Sequence, residues 1–254
     1  MKSRYSATLL AAAVAAMLVT SMPVLASKLD DRIESSAKKS YVFKTYLKSD
    51  DIKVESKNGV VTLTGTVAEE SHKSLAQETV ASLPGVKSVD NELEIKGEHP
   101  AENSDAWLVT KVKTTLLFHS NVSAMTEVSA NNGIVTLRGD AASQAEKDLT
   151  TEYAKDVEGV KDVNNAMTVS GAPKKKATMG EKIDDASITA QVKMTLLSHR
   201  STSTVHTKAE TKKGVVTLSG KAENAAEIDL VTKLVSDVKG VKRVNNKMTV
   251  GKSN

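Results

Sequence analysis

Apolar residues alternate with polar ones in three nearly identical stretches: GVVTLTG from Gly59, GIVTLRG from Gly133 and GVVTLSG from Gly214. Val61 and Leu63 share one face, as do Val135 and Leu137, and Val216 and Leu218, and this period of two predicts a strand. Just ahead of each lies Lys57-Asn58-Gly59, Asn131-Asn132-Gly133 or Lys212-Lys213-Gly214. A tight hairpin turn is predicted there, with glycine supplying a positive φ. The turn joins an earlier strand such as Ile52-Lys53-Val54. Gly65, Gly139 and Gly220 close the runs as bulges or points of close backbone approach.

Around these strands the apolar spacing changes to that of a helix. Ile188, Val192 and Leu196 recur every four residues with Leu197 beside them, and Leu108, Val112, Leu116 and Leu117 repeat the pattern. Both predict a helix before the hairpin, with Asp105 and Asp185 as N-caps. A second helix follows the hairpin, carried by Leu75, Val80 and Leu83 up to the stop at Pro84-Gly85, and by Leu230, Leu234, Val235 and Val238. A closing strand places Val163, Met167 and Val169 on one face, and likewise Val244, Met248 and Val250. Asn91, Asn165 and Asn246 share that parity, which predicts buried, hydrogen-bonded groups fixing the helix–strand corner.

The second helix ends at Gly85, Gly159 and Gly240, each 26 residues after the first glycine of its copy. These open a second shared phrase: GVKSVDNELEI, GVKDVNNAMTV and GVKRVNNKMTV. Two glycine-led phrases held in register three times mean internal duplication. The spacing between copies suits a small domain better than a solenoid repeat. The predicted fold class is α+β: three tandem α-β-β-α-β units, each a three-stranded mixed sheet covered on one face by two helices, with a right-handed crossover. The units are 31–97, 105–171 and 185–250, joined by linkers 98–104 and 172–184. The first linker is short and the second is longer, basic and flexible. Units one and two are therefore expected to pair, with unit three more loosely tethered.

Composition adds a compartment. Lys2 and Arg4 precede an unbroken small-apolar run from Leu9 to Val19, and Val24-Leu25-Ala26 offers small residues to a signal peptidase. Residues 1–26 read as a secretory signal cleaved after Ala26, too short and Ala-rich for a good membrane span. The chain has no cysteine, so neither a lipidated first residue, a disulfide nor a thiolate site is expected. Charge is uneven: residues 98–171 carry eleven acidic and six basic groups, and residues 172–254 carry eight and sixteen. Only the last third is a plausible partner for an anionic surface.

The signal followed by copies of GVVTLTG, a helix, and GVKSVDNELEI or GVKRVNNKMTV resembles the BON-domain family of bacterial envelope proteins, especially its osmotically inducible periplasmic members. The match runs over nearly all of residues 31–250, with three copies where relatives often have two. The resemblance implies a periplasmic, non-enzymatic protein of the osmotic or envelope stress response, without cofactors, whose partners are phospholipid surfaces or envelope proteins.

No metal-protease, P-loop or nucleophile-elbow motif is present, so no reaction centre and no bound metal is expected. His119 and His199 hold the same place in copies two and three, after the first helix, where the helix dipole welcomes a proton. Glu69-Glu70 and Asp50-Asp51 read as solvated loop charges. Trp107, the single tryptophan, aligns with Ser187, a position expected to lie outside the deep core. An exposed indole suits a membrane interface, and Lys111, Lys113, Lys174, Lys175 and Lys176 complete a candidate phospholipid-contact set. The other reading of Trp107 is packing against a neighbouring unit. A second function class, a holdase-like chaperone for exported chains, would use apolar patches. Nucleic acid is not expected of an exported chain whose basic region lacks aromatics.

Overall fold

A computed structural model describes residues 22–97, 100–122, 126–170, 182–202 and 207–251. The first repeat comprises α1 (Met22–Lys39), α2 (Tyr41–Thr45), β1 (Asp51–Lys57), β2 (Val60–Val67), α3 (Glu70–Ala81) and β3 (Ser88–Ile95). The second comprises α4 (Asp105–Phe118), β4 (Glu127–Asn131), β5 (Ile134–Arg138), β6 (Asp140–Ala141), α5 (Gln144–Lys155), β7 (Asp162–Asn165) and β8 (Thr168–Val169). The third comprises α6 (Asp185–Ser198), β9 (Thr207–Lys212), β10 (Val215–Ala222), α7 (Ala225–Ser236), β11 (Arg243–Asn246) and β12 (Thr249–Val250). The recurring heptapeptide is the central strand each time. It lies antiparallel to the strand before it and parallel to the closing strand. Its inward residues, Val61 and Leu63 and their counterparts, are fully buried. The α+β architecture read from the pattern is the one observed.

The two glycine-led phrases keep their spacing because they touch. Lys87 N–H donates to Gly59 O at 2.8 Å, and a Cβ on Gly59 would lie 2.7 Å from Gly85 O. Asn58, Asn132 and Lys213 have φ near +55°, and the glycine after each is also positive, so each hairpin turns through two left-handed residues. That geometry aims two N–H groups at the preceding helix. Asp30 accepts from Asn58 N and Gly59 N, Asp105 from Asn132 N and Gly133 N, and Asp185 from Lys213 N and Gly214 N, all at 2.7–2.9 Å. Asp105 and Asp185 are therefore not the helix N-caps. Ser104 and Asp184 are, accepting from Trp107 N and Ser187 N. The turn's hydrogen bonds hold Asp105 below the usual carboxylate range, and the Ser56 hydroxyl and Gly59 N–H do the same for Asp30.

The asparagine trio clamps helix to strand by hydrogen bonds as expected, but from half-buried rather than buried positions. Asn165 Nδ2 donates to Lys147 O and Thr151 Oγ1, and its Oδ1 accepts from Met167 N; Asn246 repeats this with Ile228 O, Thr232 Oγ1 and Met248 N. Asn91 reaches Lys73 O, Gln77 and Leu93 N. Val169 and Val250 leave the expected core face. They are 41% and 57% exposed.

Repeat three, expected to be the loosely tethered one, packs on both of the others. Residues after α4 and α6 bridge reciprocally to the ends of α7 and α5: Ser120 N donates to Asp237 O, Lys239 N to Phe118 O, and Arg200 N to Asp156 O. Leu230 and Leu234 of α7 pack on the core of repeat two rather than on their own. Repeat one docks on α6 of repeat three. There Ala186, Ala190 and Met194, a stripe four residues apart, join the core of repeat one with Phe118. The α1–α2 break at Ser40 frees Tyr41 N–H and Val42 N–H, which donate to Asp184 Oδ2 and Ser187 Oγ. Linker length misled here because side-chain complementarity, not tether length, selects the partner. Lys174, Lys175 and Lys176 and most of the leader lie outside the described residues.

Candidate functional site

Three repeats meeting on α4 and α6 leave a cavity of about 610 Å³ between them. Its apolar walls are Ile95 from the end of β3, Trp107 from α4, and Met194 and Leu197 from α6. Leu197, expected beside the core stripe, is 61% exposed and faces this space. The rim carries Glu69, Glu70 and Glu102 against one cation, Lys111. Lys111 Nζ stands 4.1 Å from the centre of the Trp107 ring, a cation–π contact that occupies the indole's face. Volume and lining suit a ligand with an apolar body.

Of the sequence-derived set, the fold brings Trp107 and Lys111 together. Lys113 is exposed and does not line the cavity. The nine repeated glycines, Gly59, Gly65, Gly85, Gly133, Gly139, Gly159, Gly214, Gly220 and Gly240, all hold positive φ and are structural. Trp107 is half-buried, but not for the expected reason: Ser187, its counterpart, is fully buried under repeat one. The same helix face is thus covered in repeat three and open in repeat two. The loop carboxylates also differ from expectation. The Asp50 side chain is almost fully buried and accepts from Ala68 N and pairs with His72 Nδ1 at 2.6 Å.

A second cluster lies at the joint of repeats two and three. His119 and His199, the residues capping α4 and α6, are both fully buried, and their Nε2 atoms are 3.0 Å apart. His119 Nδ1 lies 3.1 Å from Asp237 Oδ2, and His199 Nδ1 lies 2.8 Å from Asp156 Oδ2. Tyr153 stacks on His119 at 3.8 Å and donates its phenol to Asp237 Oδ2 at 2.8 Å. Asp237 also accepts from Ser120 Oγ and Asn121 Nδ2, and Asp156 from Ser201. Burial works against the charge on both carboxylates, but the hydrogen bonds outweigh it and hold both below their ordinary value. The identical spacing of the two histidines was the available signal; their meeting depends on domain packing. Among the described residues no group of three or more His, Cys, Asp or Glu could hold a metal ion, and no helix is long and apolar enough to cross a membrane.

Fold and cavity together define a tandem array of small α+β modules with a ligand-sized space at their junction. The BON domain model matches residues 29–97, 104–171 and 184–252, and the chain belongs to that family. It is similar to "Osmotically-inducible protein Y" of Escherichia coli (strain K12), 34% identical over 143 residues, covering 56% of this chain and 70% of that protein. It is also similar to "Outer membrane lipoprotein DolP" of Haemophilus influenzae, 29% identical over 159 residues, covering 59% and 80%. Solved structures superpose poorly, with a TM-score of 0.24 at 16% identity for CdsD of Chlamydia trachomatis, over 87% of this chain and 91% of that one.

Proposed function

We propose that the protein is an exported, non-catalytic binding protein of the bacterial envelope, acting in osmotic or envelope stress, that holds apolar segments of envelope proteins in the cavity around Trp107. The stress and envelope setting rests on the names of its relatives, and export with cleavage after Ala26 rests on the leader. The carrying observation is the lining: Ile95, Trp107, Met194 and Leu197 offer apolar contact, while Glu69, Glu70 and Glu102 outnumber Lys111. An acidic rim disfavours an anionic lipid headgroup and favours a polypeptide with apolar and basic side chains. Phospholipid contact through Trp107, Lys111, Lys113 and the 174–176 lysines is the competing reading.

Trp107 is the chain's single tryptophan, so its emission reports the cavity directly. The full mature chain is titrated with a permanently unfolded, apolar, basic polypeptide and, separately, with anionic phospholipid vesicles. A blue shift with the polypeptide, lost in Leu197→Glu, is expected, with none from vesicles. A blue shift and co-sedimentation with vesicles only would replace this reading by the lipid one, and silence in both would remove the cavity as a binding site.

A further inference from the structure

The buried contact between His119 and His199 has a definite proton count. Both flanking carboxylates are ionised acceptors, so both imidazoles present Nδ1–H to them. Two neutral rings in that state would set lone pair against lone pair across the 3.0 Å between their Nε2 atoms. Two imidazolium rings would set N–H against N–H. The contact is a hydrogen bond only when one ring donates from Nε2 and the other accepts, that is, when the pair shares one extra proton.

We propose that this chain of Asp156, His199, His119 and Asp237 is a single-proton latch between the second and third repeats, tightest near neutrality and released by adding a second proton or withdrawing the shared one. It does not depend on what occupies the Trp107 cavity. The reciprocal backbone bridges of Ser120, Lys239 and Arg200 flank the pair, so separating the two rings separates the repeats. Repeat one carries Lys44 and Ser82 at the positions counted as equivalent to the histidine and the aspartate, and so cannot form the device. The other charged groups around it are accounted for. Lys239 Nζ donates to Leu117 O, and Arg200 Nη2 donates to Lys155 O. Burial, then Asp237, keeps the Tyr153 phenol protonated far above its ordinary value. Glu152, Lys155 and Lys233 line an open cleft that reaches His199. Asp156, with a side chain 21% exposed against 6% for Asp237, is the side from which a proton enters.

The sign follows from proton counts. A pair of imidazoles free of each other carries about two protons well below the ordinary histidine range, about one within it and about none well above it. The closed pair carries one throughout. On the acid side burial, opposed by Asp237 and reinforced by positive charge on His199 and Lys239, lowers the His119 pKa, so the open form binds more protons and gains as pH falls below 6.5. On the alkaline side the open form binds fewer, and gains as pH rises. The opening constant therefore climbs toward about tenfold per pH unit on either limb.

Amide hydrogen exchange on the full chain at pH 5.0, 6.5 and 8.0, corrected for intrinsic rates, tests this. Protection of the Ser120, Arg200 and Lys239 amides is expected to be greatest at pH 6.5 and about eightfold lower at both extremes, with β2–β3 amides of repeat one unchanged. In His199→Gln the bell should flatten. A flat wild-type profile, or the same bell in the variant, overturns the latch. If the variant does not fold, nitrogen-15 histidine spectra of the wild type decide: three protons over the four ring nitrogens of the pair at pH 6.5 support it, and two or four overturn it.

Discussion

Lys213 is the residue where one copy departs from the local rule the other two obey. It sits at φ +55°, in the left-handed region, where Asn58 and Asn132 stand in repeats one and two. The Cβ–carbonyl clash of that region, of about 1 kcal/mol, is offset in asparagine by local hydrogen bonding of its short polar side chain and is not offset in lysine. Lys213 N–H donates to Asp185 just as the Asn58 and Asn132 N–H groups donate to their aspartates, so the turn's backbone bonds do not distinguish the copies. Lys213→Asn should therefore raise the stability of the chain by about 1 kcal/mol, read as a higher urea midpoint at unchanged m-value. The turn itself was legible from its glycine. The partner of its N–H groups was not, because Asp105 and Asp185 stand one residue beyond the capping position, a distance sequence spacing does not resolve. Trp107 teaches a related lesson. Its half-exposure was inferred from the serine aligned with it, yet Ser187 is fully buried. Aligned positions of a duplicated unit share a backbone, not a neighbour.

At the scale of elements, the periodicities identified nearly every helix and strand because most inward residues meet others of the same unit. They did not separate a helix face turned to its own core from one turned to a neighbour. In α7, Val235 and Val238, just past its end, serve the first and Leu230 and Leu234 the second, though all four belong to the one apolar stripe read from the sequence. The asparagine clamp was legible because it recurs at one register position and stays within its unit. It also has an energetic consequence. Asn165→Ala removes two donors' bonds and leaves Met167 N–H without its acceptor. At about 1 kcal/mol for each of the three hydrogen bonds, a loss of about 3 kcal/mol is expected. Asn246→Ala should cost a similar amount, and exchange of the closing-strand amides should rise in the repeat that carries the change.

For the whole molecule, the docking of repeat one on α6 decides whether the cavity exists, since Ile95 on one wall belongs to repeat one and Met194 and Leu197 to repeat three. Two kinds of contact hold that dock, and they differ in weight. The Lys193–Glu78 ion pair is 2.7 Å long, but both side chains are about a third exposed. Water and salt screen it, so it contributes less than about 1 kcal/mol. The apolar stripe of Ala186, Ala190 and Met194 is buried, and its small residues let the helices approach closely. Ile188, Val192 and Leu196 on another face of α6 fill the core of repeat three. Ala190→Glu therefore places a carboxylate in the dock without entering that core. Repeat one should come away: the radius of gyration in solution scattering should rise, and the Tyr41 and Val42 amides should lose protection. Far-ultraviolet dichroism should stay near that of the parent, and the Trp107 response to the unfolded polypeptide should vanish. Glu78→Gln should leave all four readouts unchanged. Equal effects from the two substitutions would mean that charge, not the buried stripe, assembles the three repeats around the cavity.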